Sequence, residues 1–474
     1  MHTPRLLLPL LAAALALGGC HTDPIAVIEG RAPATTNTST ALNAGPFRTL
    51  PIGLCEDYPE ETRTLDQARE DLDLLASLGV TNLRISLGWD GIEPRQGEYD
   101  WAFWDAFVRM ADQRAIELHP YLCYTPDWAA ASGNAPAYTR PPRDPADFAA
   151  FARAAASRYA RSIDTWELWN EPDNPAYWTG SPAQYADLIT TAARAIRDAD
   201  PTSRVVLGGI AWDVGYIEKT LQQPGVAQTV DIVNLHAYFE TWTADPAETL
   251  STYLARAADI TAAHAEAEPL WLAEVGYSTL REGPRVSDHY RARHPFEHTL
   301  EHHADNLLKT VAMAAARPEV RLLAWYELRD LPRSEEVIGD NNNRHLGLFT
   351  IDGRAKPALD AFQFARALFS TQPFRPDPGT ISITTASHST AQARCFERPD
   401  GSAFAVLWVP TRHHGDLSPA SAQPPAETIT LSRDRLRAVR VYDAEGRQLP
   451  APRRSGPSVS LAIDHGDTLV VELQ

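Results

Sequence analysis

Cysteine is scarce in this chain: four among 474 residues, at Cys20, Cys55, Cys123 and Cys395. Cys20 belongs to the N-terminal apolar stretch, which leaves three, and an odd number cannot all pair. Cys55 and Cys123 fall in apolar strand-like runs, so buried free thiols fit better than a disulfide framework or a metal site. Positive charge is short as well: Lys and Arg total 43 against 61 Asp and Glu, a formal charge of −18. That balance argues against nucleic acid as a partner, because phosphate binding wants a basic surface. The first strand-like run ends in Leu54-Cys55-Glu56-Asp57 and no Gly-rich phosphate loop follows it, which counts against a doubly wound dinucleotide-binding sheet. The zinc-binding order His-Glu-x-x-His is missing too. His289, His294, His298, His302 and His303 crowd one stretch, with His298 and His302 expected on one helix face. They read as solvated helix and loop residues, and neither a metal nor a cofactor is expected.

What is present begins with a targeting segment. Arg5 supplies a positive n-region, and the apolar run Leu6 to Leu17 is too short to anchor stably across a bilayer. It closes with Leu17-Gly18-Gly19-Cys20. This resembles the lipobox of bacterial lipoproteins, which implies cleavage before Cys20, acylation of Cys20 and a membrane partner through that lipid. His21 in place of an aspartate implies the outer membrane, on its periplasmic or surface face. An ordinary signal peptide is the alternative. Residues 1–20 are therefore set aside from the fold, and 21–45, rich in Thr, Asn, Ser, Ala and Pro, read as a flexible tether.

From Leu50 on, apolar runs alternate with amphipathic ones. Eight strands are expected at 50–55, 81–87, 116–123, 164–169, 204–209, 231–236, 269–274 and 321–327, several rich in Val, Ile and Leu as strands buried on both faces are. Between them, Leu65, Ala68, Leu72, Leu75 and Leu78 repeat at helical spacing and Gly79 ends the run. Similar patterns hold Trp101 to Ala111, Phe148 to Tyr159 and Tyr185 to Ile196, with later helices at 247–266, 297–316 and 356–369. Eight strands alternating with helices predict an α/β fold, a (β/α)8 barrel over 46–372. After Pro373 to Pro378 seven short strand patterns follow, which predicts a small all-β sandwich over 373–474. Only Trp408 of the 12 tryptophans lies there, so that unit reads as structural.

In a barrel, working residues sit at the C-terminal ends of the strands. Strand four ends in Asn170-Glu171 and strand seven in Glu274, 103 residues after Glu171. Two carboxylates delivered by separate strands are what cleavage of a glycosidic bond requires. Arg84 on strand two, His236 and Tyr238 at the end of strand six and Trp325 on strand eight are further candidates. Trp89, Trp128 and Trp178 follow strands two, three and four and are expected either to stack on sugar faces or to pack; Glu56 and Asp57 follow strand one. Trp271, in mid-strand, reads as core.

Six segments carry a resemblance. They are Thr81-Asn82-Leu83-Arg84-Ile85-Ser86, Gly91-Ile92-Glu93-Pro94 with Gly97-Glu98-Tyr99-Asp100-Trp101, Tyr124-Thr125-Pro126-Asp127-Trp128-Ala129, Trp166-Glu167-Leu168-Trp169-Asn170-Glu171-Pro172, Leu235-His236-Ala237-Tyr238, and Trp271 to Thr279. In this order they resemble the retaining glycoside hydrolases of clan A, most of all family 39. The resemblance implies Glu171 as acid/base, Glu274 as nucleophile, Asn170 as the residue holding the sugar 2-hydroxyl, Arg84 and Tyr238 as groups bonding the nucleophile, and Trp325 as the platform under the sugar. His236 is grouped with the substrate-binding residues. The implied partner is a β-linked carbohydrate polymer or oligosaccharide, with a cell-surface exopolysaccharide favoured over exo-acting β-xylosidase action. A non-catalytic sugar-binding lipoprotein and a transglycosidase are the readings set beside it.

Overall fold

The computed structural model describes residues 45–58, 64–265, 269–281, 297–332, 341–411 and 424–474. The lipobox, with Cys20, and the tether up to residue 44 lie outside the described residues, as do His289 and His294. Eight parallel strands close into a barrel in sequence order: β1 (Ile52–Glu56), β2 (Asn82–Gly88), β3 (Glu117–Cys123), β4 (Thr165–Leu168), β5 (Arg204–Ile210), β6 (Ile232–Ala237), β7 (Leu270–Val275) and β8 (Val320–Tyr326). β8 pairs with β1 through Ile52–Leu323 to Cys55–Tyr326, which closes the ring. Each strand boundary lies within two residues of its sequence expectation.

The helices are α1 (Leu65–Ser77), the single turn α2 (Trp89–Ile92), α3 (Ala102–Asp112), α4 (Pro145–Tyr159), α5 (Pro182–Ala199), α6 (Val214–Leu221), α7 (Thr249–His264), α8 (Leu300–Ala315) and α9 (Pro357–Phe369). α1 and α5 start in capping boxes, Thr64 with Gln67 and Ser181 with Gln184, each satisfying backbone N–H groups that the first turn leaves free. α6 carries no long apolar repeat and was not anticipated. α8 begins at Leu300 with Thr299 as its cap, so His298, at φ 59°, precedes the helix. His298 and His302 therefore share no helix face. The expectation of solvated histidines also fails: His298, His302 and His303 are buried, with Tyr277 stacked on His298 at 5.0 Å and edge-on to His302 at 5.3 Å.

Period-two alternation divides each strand between two cores. Leu83, Ile85 and Leu87, Trp166 and Leu168, and Leu323 and Trp325 face outward into the layer between barrel and helices. Inside, Cys55, Val206, Trp271, Ala273, Leu322, Ala324 and Tyr326 form a separate cluster. The barrel floor is polar: the His119 ring meets Thr165 at 2.9 Å and Asn82 at 3.0 Å. Register shifts between β6 and β7 and between β7 and β8 bring Glu274 to face the lumen although Ala273 beside it does too.

The C-terminal strands are β9 (Arg375–Pro376), β10 (Ile381–Thr385), β11 (Gln392–Glu397), β12 (Ala403–Trp408), β13 (Glu427–Arg433), β14 (Val439–Tyr442), β15 (Gln448–Leu449), β16 (Arg454–Ser455), β17 (Ser458–Ile463) and β18 (Thr468–Leu473). They form two antiparallel sheets, β10-β13-β17-β16 and β15-β14-β18-β12-β11-β9. The seven expected strands are present, and β9, β15 and β16 are two-residue additions. Ile429, Leu431, Val459, Val471 and their neighbours fill the space between the sheets. The six-stranded sheet shares the barrel's own core, since Phe369 of α9 packs on Phe396 at 5.0 Å and Phe404 at 5.4 Å. Phe396→Ala should therefore cost about 3–5 kcal/mol. Barrel and sandwich should still unfold in one transition, followed by denaturant titration monitored in the far and near ultraviolet. Separate transitions for the two units would refute a shared core.

Candidate active site

The lumen above the floor is organised by one cation. Arg84, from β2, is fully buried. Its Nε and Nη2 donate to the two oxygens of Glu167 at 2.8 and 2.9 Å, a bidentate pair. Nη2 also donates to Asn170 Oδ1 at 2.9 Å, and Nη1 donates to Glu274 Oε2 at 2.6 Å and to Cys55 Sγ at 3.3 Å. The face of the guanidinium lies 4.2 Å from the Tyr121 ring centre. Burial opposes its charge, yet Glu167 and the other anionic neighbours hold it well above the usual arginine range. Glu167 also accepts from Gly209 N at 2.8 Å and Asn234 Nδ2 at 3.0 Å. Burial pushes its pKa up, but Arg84 prevails and it lies below the ordinary carboxylate value.

The turn after β4 delivers Asn170 and Glu171. Trp169 at φ 80° and Glu171 at φ 44° occupy a left-handed region that costs a non-glycine residue of order 1–3 kcal/mol. The turn is held by Trp169 N donating to Leu122 O at 3.0 Å, Trp169 Nε1 donating to Tyr177 O at 3.1 Å, and the edge contact with Trp178 at 4.9 Å. Glu171 Oε2 accepts from Asn174 Nδ2 at 2.7 Å, and Oε1 lies 3.0 Å from His236 Nδ1. Among the described residues no cation bonds it directly, and burial raises its pKa to about 7.

Glu274 Oε1 accepts from the Tyr238 hydroxyl at 2.9 Å, while Oε2 takes Arg84. Burial raises its pKa, and the Arg84 guanidinium pulls against that rise. His236 lies between the two carboxylates, its Nδ1 being 3.6 Å from Glu274 Oε2. Burial lowers the His236 pKa to about 4, so the imidazole is neutral near pH 7. Among the described residues its Nε2 has no hydrogen-bond partner, and it faces Gly209, where an added Cβ would fall 1.8 Å away; glycine is required there. One donor atom from each of Glu171, His236 and Glu274 lies within 4.8 Å of the others. By donor type this trio suits a divalent cation, but Arg84 already places its positive charge against Glu274.

The sequence candidates separate accordingly. Glu171, Glu274, Asn170, Arg84, Tyr238 and His236 converge. His236 and Arg84 are sealed from the cleft and act on carboxylates rather than on a ligand. Asp57 also faces the lumen, accepting from Tyr121 Oη at 2.5 Å and Tyr326 Oη at 3.4 Å. Glu56 instead accepts from the Leu328 backbone. Trp325 is a correction: it is fully buried, points outward and stacks on His303 at 5.7 Å, leaving Tyr326 as the strand-eight ring inside the barrel. Trp89 is another: it is fully buried, donates to Glu93 Oε2 at 2.6 Å and packs against Phe148 and Phe151. Half-buried Trp128 donates to Glu93 O at 2.8 Å and sits edge-on to Trp89, so it braces a loop. Trp178 is buried against Trp169. Sequence reasoning missed Glu167, Asn234, Tyr121 and Tyr326. The signal for the first two was a polar residue inside an otherwise apolar strand, on the same parity as Thr165 and His236.

Two outcomes follow. Arg84→Lys cannot reproduce the fork and would leave Glu167 buried and half-paired; the loss should be about 3–5 kcal/mol in denaturant titration. Glu171 should lose its proton near pH 7, seen as a carboxylic acid infrared band absent from Glu171→Gln. Because this folded pKa stands above the unfolded value of about 4.3, the group's contribution to stability is complete below that value and is lost as pH rises through about 7.

Comparison with known proteins places this arrangement. Residues 51–294 match the family described as Cellulase (glycosyl hydrolase family 5), just over half of the 474 residues. Curated relatives include endo-1,4-beta-xylanase 3 of Hypocrea jecorina, 26% identical over 140 residues that make up 28% of this chain and 39% of the relative. The chain thus spans well under two thirds of the curated relatives it matches. Among solved structures, a family 39 glycoside hydrolase from Bacteroides cellulosilyticus WH2 is similar with a TM-score of 0.65 and 16% identity, covering 90% of this chain and 81% of that one. A family 39 β-xylosidase from Caulobacter crescentus gives 0.59 and 18%, covering 92% and 98%, and the family 39 enzyme of Xanthomonas axonopodis pv. citri 0.60 and 16%, covering 91% and 95%. At these identities the structures speak for the fold, including its second domain. The protein belongs to the cellulase family, glycosyl hydrolase family 5, within clan A, and its barrel-and-sandwich fold is like that of the family 39 enzymes.

Proposed function

We propose that this protein is a retaining glycosidase acting on a β-linked sugar chain, with Glu274 as nucleophile and Glu171 as acid/base. The observation that carries this reading is the meeting of the two carboxylates, one oxygen of each within 4.8 Å, in unlike surroundings. Retaining enzymes hold their carboxyls about 5–5.5 Å apart, whereas inverting ones leave roughly 6.5–9.5 Å for a water. Glu274 has a guanidinium and a phenol bonded to it, which favours the anion. Glu171 has an amide and a neutral imidazole, and keeps its proton up to about pH 7.

The chemistry follows in two displacements. Glu274 attacks the anomeric carbon as the bond to the leaving oxygen breaks, and Glu171 gives that oxygen its proton. The negative charge on Glu274 is then spent in the ester. Glu171, now ionised, takes a proton from water as the water oxygen attacks the same carbon and Glu274 departs. The net configuration is kept. Asn170, with its carbonyl fixed by Arg84 and its amide 3.3 Å from Tyr124 Oη, is placed to donate to the sugar 2-hydroxyl.

For the substrate, a cell-surface exopolysaccharide is the favoured reading, supported by the lipobox-like Leu17-Gly18-Gly19-Cys20 and the tether-like composition that follows. A lipid-anchored enzyme of the bacterial cell envelope, in the outer membrane, reaches such a polymer. A second reading, action on β-linked xylose, draws on the names of the curated relative and of the Caulobacter crescentus structure.

Glu274→Ala should lose at least about 10⁴-fold in kcat, with added azide restoring turnover and yielding the inverted glycosyl azide. Glu171→Ala should spare substrates with activated aryl leaving groups far more than natural sugars, since only the latter need the proton. The alkaline limb of the wild-type pH profile should fall near 7 and vanish in that variant on aryl substrates. Near-normal rates on polymer for both variants would rule the assignment out. A screen on purified polysaccharides with mass spectrometry of the products separates the two substrate readings: single xylose units released from chain ends would overturn the exopolysaccharide reading.

A further inference from the structure

All twelve tryptophans lie among the described residues, and Trp212 alone is largely exposed, at 53%. A single exposed apolar side chain is ordinary on any surface; the position of this one and the rigidity of its backbone are not. Trp212 follows β5 at the C-terminal rim of the barrel, on the strand next to the one that delivers Glu171. Its backbone N–H donates to Asp173 Oδ2 at 3.0 Å, and Asp173 is two residues beyond Glu171. The same carboxylate accepts from Ala211 N at 2.9 Å and Asp213 N at 3.0 Å. Beneath, Tyr253 Oη donates to Ile210 O at 2.8 Å, and Asp213 caps α6 through Gly215 N at 2.9 Å. Four successive residues are thus fixed by hydrogen bonds while the indole between them is left in the open.

A second exposed ring stands on the other side of the same loop. Tyr138, 37% exposed, lies on the connection from β3 to α4 and meets Tyr124 edge-on at 6.0 Å. Tyr124 in turn contacts Asn170. β3, β4 and β5 are consecutive around the barrel, so Trp212 and Tyr138 flank the β4 loop from the two neighbouring strands. The acid must face the leaving oxygen, so the sugar that departs lies on the Glu171 side of the cleft.

We propose that Trp212, with Tyr138 opposite, forms a stacking subsite for the departing part of the sugar chain and so makes this enzyme selective for oligomeric and polymeric leaving groups. This rests on the retaining-glycosidase reading. An indole face presents apolar area to the C–H face of a pyranose, and its rigid mount lets that contact form without ordering a loop.

The test compares two substrates in the full-length protein: the polymer that the wild type cleaves, and the β-glycosyl fluoride of the sugar released from it. Fluoride places no sugar in the proposed subsite. Trp212→Ala should lower kcat/KM on polymer roughly three- to tenfold and leave fluoride turnover unchanged, with Trp212→Phe recovering most of the loss and Tyr138→Ala giving a smaller loss of the same kind. Equal losses on both substrates would make Trp212 a structural brace and overturn the proposal. So would unchanged polymer kinetics, which would leave the proposed function standing. If the wild-type protein cleaves none of the purified polysaccharides screened, the glycosidase reading itself fails and this inference falls with it.

Discussion

The burial of Arg84 is the constraint on which the rest of the lumen depends. Taking a guanidinium out of water costs several kcal/mol unless its hydrogen bonds are remade. It has five N–H donors, and five acceptor contacts are present: two oxygens of Glu167, Asn170 Oδ1, Glu274 Oε2 and Cys55 Sγ. Glu167 is the true counter-ion, enclosed by donors on all sides and unavailable to a ligand. Its charge offsets that of the arginine, and Glu274 then interacts with a cation already half compensated. That arrangement suits the proposed role of Glu274, an anion that remains free to form a bond. A bare ammonium at the same place would grip one carboxylate and fix no orientation.

The asymmetry between the two glutamates follows from that anchor. Arg84 reaches Glu274 directly and Glu171 only at a distance, and His236, neutral in this burial, touches both without supplying charge. The left-handed backbone at Trp169 and Glu171 turns the Glu171 carboxyl toward its partner rather than along the strand. Such strain persists only where the surroundings over-determine it. Here the aromatic packing of Trp169 with Tyr124, Phe148 and Trp178 does so. The packed tryptophans around β2 to β4 therefore serve the site by fixing loops, which explains why Trp89 and Trp128 are spent on Glu93 instead of on a ligand.

The barrel was legible because parallel strands covered on both faces read as continuous apolar runs, and all eight stood out at their boundaries. Glu171 and Glu274 were legible as polar breaks at the ends of two such runs. Less was visible where period two decides the outcome. Trp325 and Tyr326 are adjacent, and a shift of one residue exchanges lumen for helix layer; the bulges flanking β7 set that register and leave no mark in composition. Arg84 and Glu167 are 83 residues apart, so neither announces the other. His302 and His303 looked solvated because the rings that pack on them, Tyr277 after β7 and Trp325 on β8, belong to other elements and leave no mark in the local sequence.

The sandwich packs against the helix that carries these histidines. Every residue of α8 except Leu300, Glu301 and Asp305 is buried, an unusual state for the outer helix of a barrel, which ordinarily keeps a polar face toward water. β12 and β18 lie along it, and Thr468 N donates to Asp305 Oδ1 at 2.6 Å. α8 follows β7 and precedes β8, so the strand that carries Glu274 and the strand that carries Tyr326 are both backed by an interior helix. The indole of Trp408, fully buried with Arg394 over its ring, belongs to this seam and is closed to any ligand. The second domain thus turns the α8 side of the barrel wall from surface into core. That is a mechanical contribution to the placement of Glu274, and it accounts for the sandwich without assigning it a sugar of its own.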